Sequence, residues 1–207
     1  MSLTDTKLRE LCKRMDIPLA DICFKDELPN KLEFNKGYII NLEDEYDEDG
    51  KRNGGTHWTS LQINKYPNGK IEGIYFDPYG VGKPQDVKKA VERTIGKNIP
   101  ETTKDIQSLM NNACGWYCCA FLHYINSSQF RSKDLYTDVS SFMDMFDDLN
   151  TSVDFKKNEY ILKHFFRSSD PEKRSAIDID LEPIVEKDEG NRLDLSKIPV
   201  GMKVVGK

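Results

Sequence analysis

At 207 residues, 38% of them hydrophobic and 10% aromatic, the chain is long enough for one sizeable core and short for two. A formal net charge of −5 argues against broad, unspecific nucleic-acid binding, so DNA is not expected as a partner. The longest apolar stretch, around Cys118 to Ile125, is interrupted by His123 and too short to span a bilayer, and the opening Met1-Ser2-Leu3-Thr4-Asp5 lacks the apolar centre of a secretory signal.

In chain order, Leu8, Leu11, Cys12 and Met15 fall at three-and-four spacing and predict a short amphipathic helix over 5–15. Gly37 to Leu42 reads as a buried strand. The acidic run Glu43 to Asp49 reads as a solvated loop leading to Gly54-Gly55. Two strands, Trp58 to Ile63 and Ile71 to Phe76, are joined by the hairpin turn Pro67-Asn68-Gly69. Asp86 is placed to cap a helix with Val87, Ala90 and Val91 on one face, ended by Gly96. A short strand is expected near Asp105 to Leu109, then the turn Asn111-Asn112 and a helix from Cys114 to about Ile125. Further helices are expected at Leu135 to Leu149 and Asn158 to Phe166. All 21 aromatic residues lie at or before Phe166, so a folded domain is expected over 1–166 and a charged tail, extended or partly disordered, over 167–207.

Five cysteines, three of them within six positions, make a poor disulfide framework and fit one reactive thiol among buried ones in a reducing compartment. Cys114 falls in the first turn of its helix, where unpaired amide protons and the helix dipole favour a thiolate; the plainer reading is a small buried residue. That plainer reading suits Cys118 and Cys119, inside the helix. A zinc site from Cys118, Cys119 and His123 is disfavoured, because adjacent mid-helix cysteines point in different directions. His57, where a glycine-rich loop enters a strand, is either a structural histidine or a general base. Asp77, at the end of the paired strand, either orients that base or opens an Asp-Pro turn. Gln107 is placed to donate an amide hydrogen to an oxyanion beside the Cys114 backbone. Trp58 either lines a cleft beside the base or packs in the core, and Gly115, next to the thiol, is assigned with it to substrate binding.

Three segments carry a resemblance to the adenovirus-type maturation proteases, the adenain family, and their relatives in large DNA viruses, virophages and virus-like transposons. They are Gly54-Gly55-Thr56-His57-Trp58, Phe76-Asp77-Pro78-Tyr79-Gly80 and Cys114-Gly115-Trp116-Tyr117-Cys118-Cys119-Ala120-Phe121-Leu122-His123. The last is the most specific, and the interval from Gln107 to Cys114 also agrees. The alignable portion runs from about Gly37 to Ile125. The resemblance implies an α+β fold, a central mixed β-sheet flanked by helices, of the papain-like type shared with SUMO-specific proteases. It implies a cysteine endopeptidase that cleaves viral capsid or core precursor proteins during virion maturation. Cys114 would be the nucleophile, His57 the base, Asp77 the orienting acid and Gln107 the oxyanion donor, with no metal. The family's acid is a glutamate; aspartate matches the SUMO-protease side. The family's peptide cofactor is disulfide-linked to a cysteine at the position of Gly96 here, so no cofactor is expected. A monomer is expected, in the virion and the host-cell cytoplasm, with the host nucleus as the alternative. Other readings of the same residues are an isopeptidase acting on ubiquitin-like modifiers, an acetyltransferase effector and a non-catalytic capsid-associated module.

Overall fold

The computed structural model describes residues 3–109, 111–128, 132, 134–150 and 155–169. The first helix, α1 (Asp5–Arg14), starts where the Thr4 hydroxyl accepts from the Lys7 amide at 3.3 Å. Asp5 in its first turn and Lys13 and Arg14 in its last complement the helix dipole. Leu8, Leu11 and Cys12 form its buried stripe, as their spacing predicts.

Four strands follow, β1 (Leu19–Phe24), β2 (Gly37–Asn41), β3 (Trp58–Lys65) and β4 (Ile71–Phe76), in the sheet order β1-β2-β3-β4. β1 runs parallel to β2 and the other pairs are antiparallel, so the sheet is mixed. β1 escapes the sequence patterning: Ala20 and Asp21 interrupt its apolar run, its first half is only partly buried, and its register against β2 slips between Leu19 and Asp21. The β3–β4 hairpin closes where expected, with Gly69 at φ 82° and Tyr66 donating to the Lys70 carbonyl at 2.9 Å.

Helices cover both faces of the sheet. On one face α2 (Gln85–Ile95) lays Val87, Ala90 and Val91 over Tyr38, Ile40, Leu61, Ile63 and Tyr75. Asp86 does not cap it: Pro84 occupies the cap, where φ is preset for helix entry, and Asp86 falls in the first turn. Gly96 ends the helix in a left-handed conformation, its amide donating to the Glu92 carbonyl.

On the other face lies α3 (Cys114–Asn126), with α1, α4 (Leu135–Met143) and α5 (Phe155–Ser169) around it. Eleven of the thirteen α3 residues are buried, so it has no polar face and must be surrounded. Gly37 on β2 permits its close approach, since a Cβ there would come within 2.8 Å of Leu122. Phe121 stacks on Phe76 at 4.3 Å, with Phe142 edge-on to both. Each such buried aromatic contributes on the order of 2–3 kcal/mol.

The fold is therefore α+β, a central mixed sheet flanked by helices, as expected. Three further local expectations are corrected. Residues Asp105 to Leu109 form no strand: Ile106 and Gln107 both donate to the Pro78 carbonyl at 2.8 and 3.1 Å, which bends the segment into a loop. α4 stops at Met143, six residues before its predicted end, and the chain turns through Asp144. α5 spans Phe155–Ser169, longer at both ends than the helix expected at Asn158 to Phe166, and residues 170–207 of the expected tail lie outside the described residues.

Candidate active site

His57 and Asp77 flank the mouth of the β3–β4 hairpin. The last registered pair there is Ser60 with Phe76, so the next residues outward are held near one another by the ladder. The Leu42 amide donates to the His57 carbonyl at 3.1 Å, which continues the β2–β3 pairing and fixes the histidine backbone. His57 Nε2 lies 2.7 Å from Asp77 Oδ1. The Asp77 side chain is fully buried, and its Oδ1 also accepts from the Tyr79 amide at 2.8 Å. The Asp77 amide in turn donates to the Thr102 hydroxyl at 3.1 Å. Continuing the hairpin register three residues past Ser60 and Phe76 brings His57 opposite Tyr79, and their rings stack at 4.3 Å and 21°.

Cys114 is the first residue of α3 and is 2% exposed. Thr4 caps α1 and Asp134 caps α4 with side-chain oxygens, but Ala113 before Cys114 offers none. The first-turn amides of α3 therefore keep hydrogens without a side-chain acceptor, next to the thiol and at the positive end of the helix dipole. Cys114 sits beside the imidazole. Burial alone would lower the proton affinity of His57, but hydrogen bonding to Asp77 and then to Cys114 outweighs it and raises the pKa from 6.5 to about 9. Because Nε2 is committed to Asp77, the nitrogen left for the thiol is Nδ1, which is buried and makes no well-aligned hydrogen bond.

Gln107 reaches the same place from the loop tied to Pro78, rather than from the expected strand. Its side chain is fully buried, and Nε2 donates to the Tyr79 hydroxyl and to the Asn111 carbonyl, both at 3.2 Å. A carbonyl can only accept, so the amide nitrogen must face Asn111. Asn111 Oδ1 accepts from the Ala113 amide at 3.2 Å, which ties this loop to the start of α3. Three of the seven buried, unpartnered side-chain polar atoms among the described residues are His57 Nδ1, Asp77 Oδ2 and Gln107 Oε1.

The structure thus brings Cys114, His57, Asp77 and Gln107 together. Trp58 and Gly115 lie under the N-terminal segment: the Trp58 indole donates to the Leu3 carbonyl at 3.0 Å, and a Cβ on Gly115 would come within 3.0 Å of Leu8 and 3.3 Å of Leu3. Trp58 also forms a wall of a cavity of about 160 Å³ between Thr4-Asp5, β1 and Arg52 to Gly54. Cys118 and Cys119 point away, towards the Trp58 carbonyl and Cys12 respectively, and His123 towards the Met15 carbonyl. Burial pushes the Cys118 and Cys119 thiols far up, and burial with Asp21 and Glu27 nearby pushes Cys23 to about 12. Sequence reasoning missed Tyr79, although counting outward along the hairpin register would have found it.

No protein-family model matches this chain, and no curated protein matches it. Among solved structures, HopZ1a in complex with IP6 is similar at 10% identity and a TM-score of 0.37, over 85% of this chain. The match spans 56% of the HopZ1a chain.

Proposed function

We propose that this chain is a cysteine endopeptidase that acts through a thioester, with Cys114 as nucleophile, His57 as base and Asp77 as the orienting acid. The observation that carries the reading is one arrangement: a cysteine at the uncapped start of α3 beside an imidazole whose far nitrogen is held by a buried carboxylate at 2.7 Å. In the resting site His57 carries the proton. The Cys114 thiolate attacks the scissile carbonyl, and the oxyanion forms beside the first-turn amides of α3. The His57 imidazolium protonates the leaving amine, and the acyl group stays on sulfur. His57, now neutral, takes a proton from water, and the hydroxide releases the acid.

The substrates are capsid or core precursor proteins cleaved during virion maturation, in the particle or the infected cell. This rests on the motif resemblance from Gly54 to His123. The test is iodoacetamide alkylation followed by peptide mass spectrometry, in wild type and in His57→Ala. Cys114 is expected to react fastest of the five cysteines near neutral pH and to lose that advantage without His57. An equal rate at Cys114 in both proteins would remove the catalytic pair from the proposal.

A further inference from the structure

The Gln107 carboxamide has two N–H hydrogens, and both are engaged, one by the Tyr79 hydroxyl and one by the Asn111 carbonyl. It has none left for an oxyanion. The Tyr79 hydroxyl, by contrast, accepts from Gln107 while its own O–H has no acceptor among the described residues. We propose that Tyr79 presents the side-chain hydrogen-bond donor to the oxyanion, and that Gln107 acts behind it, orienting and polarising the phenol.

Several independent contacts hold Tyr79 in place for this role. Its ring is stacked on the base at 4.3 Å, its amide is bonded to the Asp77 oxygen that also holds the base, and the preceding Pro78 carbonyl accepts from the Gln107 amide. Gly80, next in the chain, permits the tight turn: it has φ 67°, and a Cβ there would meet the Thr103 carbonyl oxygen at 2.5 Å. One turn thus ties acid, base and oxyanion donor together. A hydroxyl that accepts from an amide becomes a stronger donor through its own hydrogen. Burial first, then the charges of Cys114 and Asp77, push the Tyr79 pKa to about 12, so the phenol keeps its proton at neutral pH.

This inference rests on the acyl-transfer reading of the site, and the two can be tested separately. With p-nitrophenyl acetate, Cys114 sulfur attacks the ester carbonyl and a C–S bond forms. The carbonyl oxygen takes the negative charge, and collapse expels p-nitrophenolate to leave an acetyl thioester. Iodoacetamide reacts with the same sulfur by displacement of iodide and forms no oxyanion. The ratio of acylation to alkylation rate at Cys114 therefore isolates the oxyanion donor from nucleophile activation.

Tyr79→Phe keeps the stack on His57 and is expected to lower that ratio on the order of 10²-fold, the cost of removing one oxyanion donor. Gln107→Ala is expected to lower the ratio in the wild-type background and to leave it unchanged in Tyr79→Phe, because it acts through the phenol. An undiminished ratio in Tyr79→Phe, with Gln107→Ala lowering it in both backgrounds, would overturn the assignment and return the donor to Gln107. A wild-type protein in which Cys114 is not acylated at all would overturn the acyl-transfer reading, and this inference with it.

Discussion

Replacing Asp77 with Asn removes the charge that holds the proton on His57 and leaves the shape nearly intact. In the folded protein the imidazole pKa rises from 6.5 to about 9, which corresponds to roughly 3 kcal/mol in favour of the imidazolium. Burial opposes this rise, so without the carboxylate His57 is left with Cys114 as its main support and with the burial penalty in full. In Asp77→Asn the imidazole is expected to titrate at or below 6.5. Histidine Cε1 resonances followed by NMR from pH 5 to 10 measure this directly. The chain has three histidines, and burial lowers the pKa of His123, so a resonance that titrates near 9 is readily assigned with a His57→Gln control. The folded value lies above the unfolded one. The imidazolium therefore contributes stability in full below pH 6.5, and that contribution is lost as pH rises through 9. Accordingly, the gap in unfolding free energy between wild type and Asp77→Asn should be widest at pH 6 and should narrow by pH 9. A His57 that titrates near 6.5 in wild type, or one that Asp77→Asn does not move, would refute the electrostatic account of the pair.

Other consequences can be measured without a known substrate. In the native protein at neutral pH, iodoacetamide should modify Cys114 and spare Cys23, Cys118 and Cys119, which become reactive only in urea; a peptide map that shows Cys118 modified first would contradict the placement of the α3 thiols. Gly80→Ala forces a Cβ against the Thr103 carbonyl in a left-handed turn and should cost about 2 kcal/mol or more in urea unfolding; an unchanged midpoint would show that the turn yields cheaply. Asn158 is fully buried and bridges Ile106 and Asp147, donating to both carbonyls and accepting from the Asp147 amide at 2.7 Å. Asn158→Ala strands those groups and should destabilise the fold by about 2–4 kcal/mol, while also slowing acylation through the Gln107 loop. Loss of stability without any change in acylation would separate that loop from the chemistry.

The amphipathic stripe of α1, the β3–β4 hairpin and the apolar α3 could each be read from a local pattern, because each is set by spacing over a few residues. β1 could not. Asp21 and Ala20 blur its signal, and its pairing with β2 is a parallel, long-range contact that no local window contains. The supposed strand at Asp105 failed for the opposite reason: its local pattern passes for a strand, but two hydrogen bonds to the distant Pro78 carbonyl bend it into a loop.

The site divides along the same line. The chain order of His57, Asp77, Gln107 and Cys114, and the position of the cysteine at a helix start, were determined by the sequence alone, since residue identity and helix onset are local facts. Only the tertiary structure decided how they meet. It set the face of the imidazole turned to Asp77, stacked Tyr79 on His57, spent both Gln107 N–H groups on neighbours and laid Leu3 over Trp58 and Gly115. Those outcomes follow from close packing and hydrogen-bond satisfaction among segments far apart in the chain. Their geometry is fixed by neighbours that no sequence interval reveals.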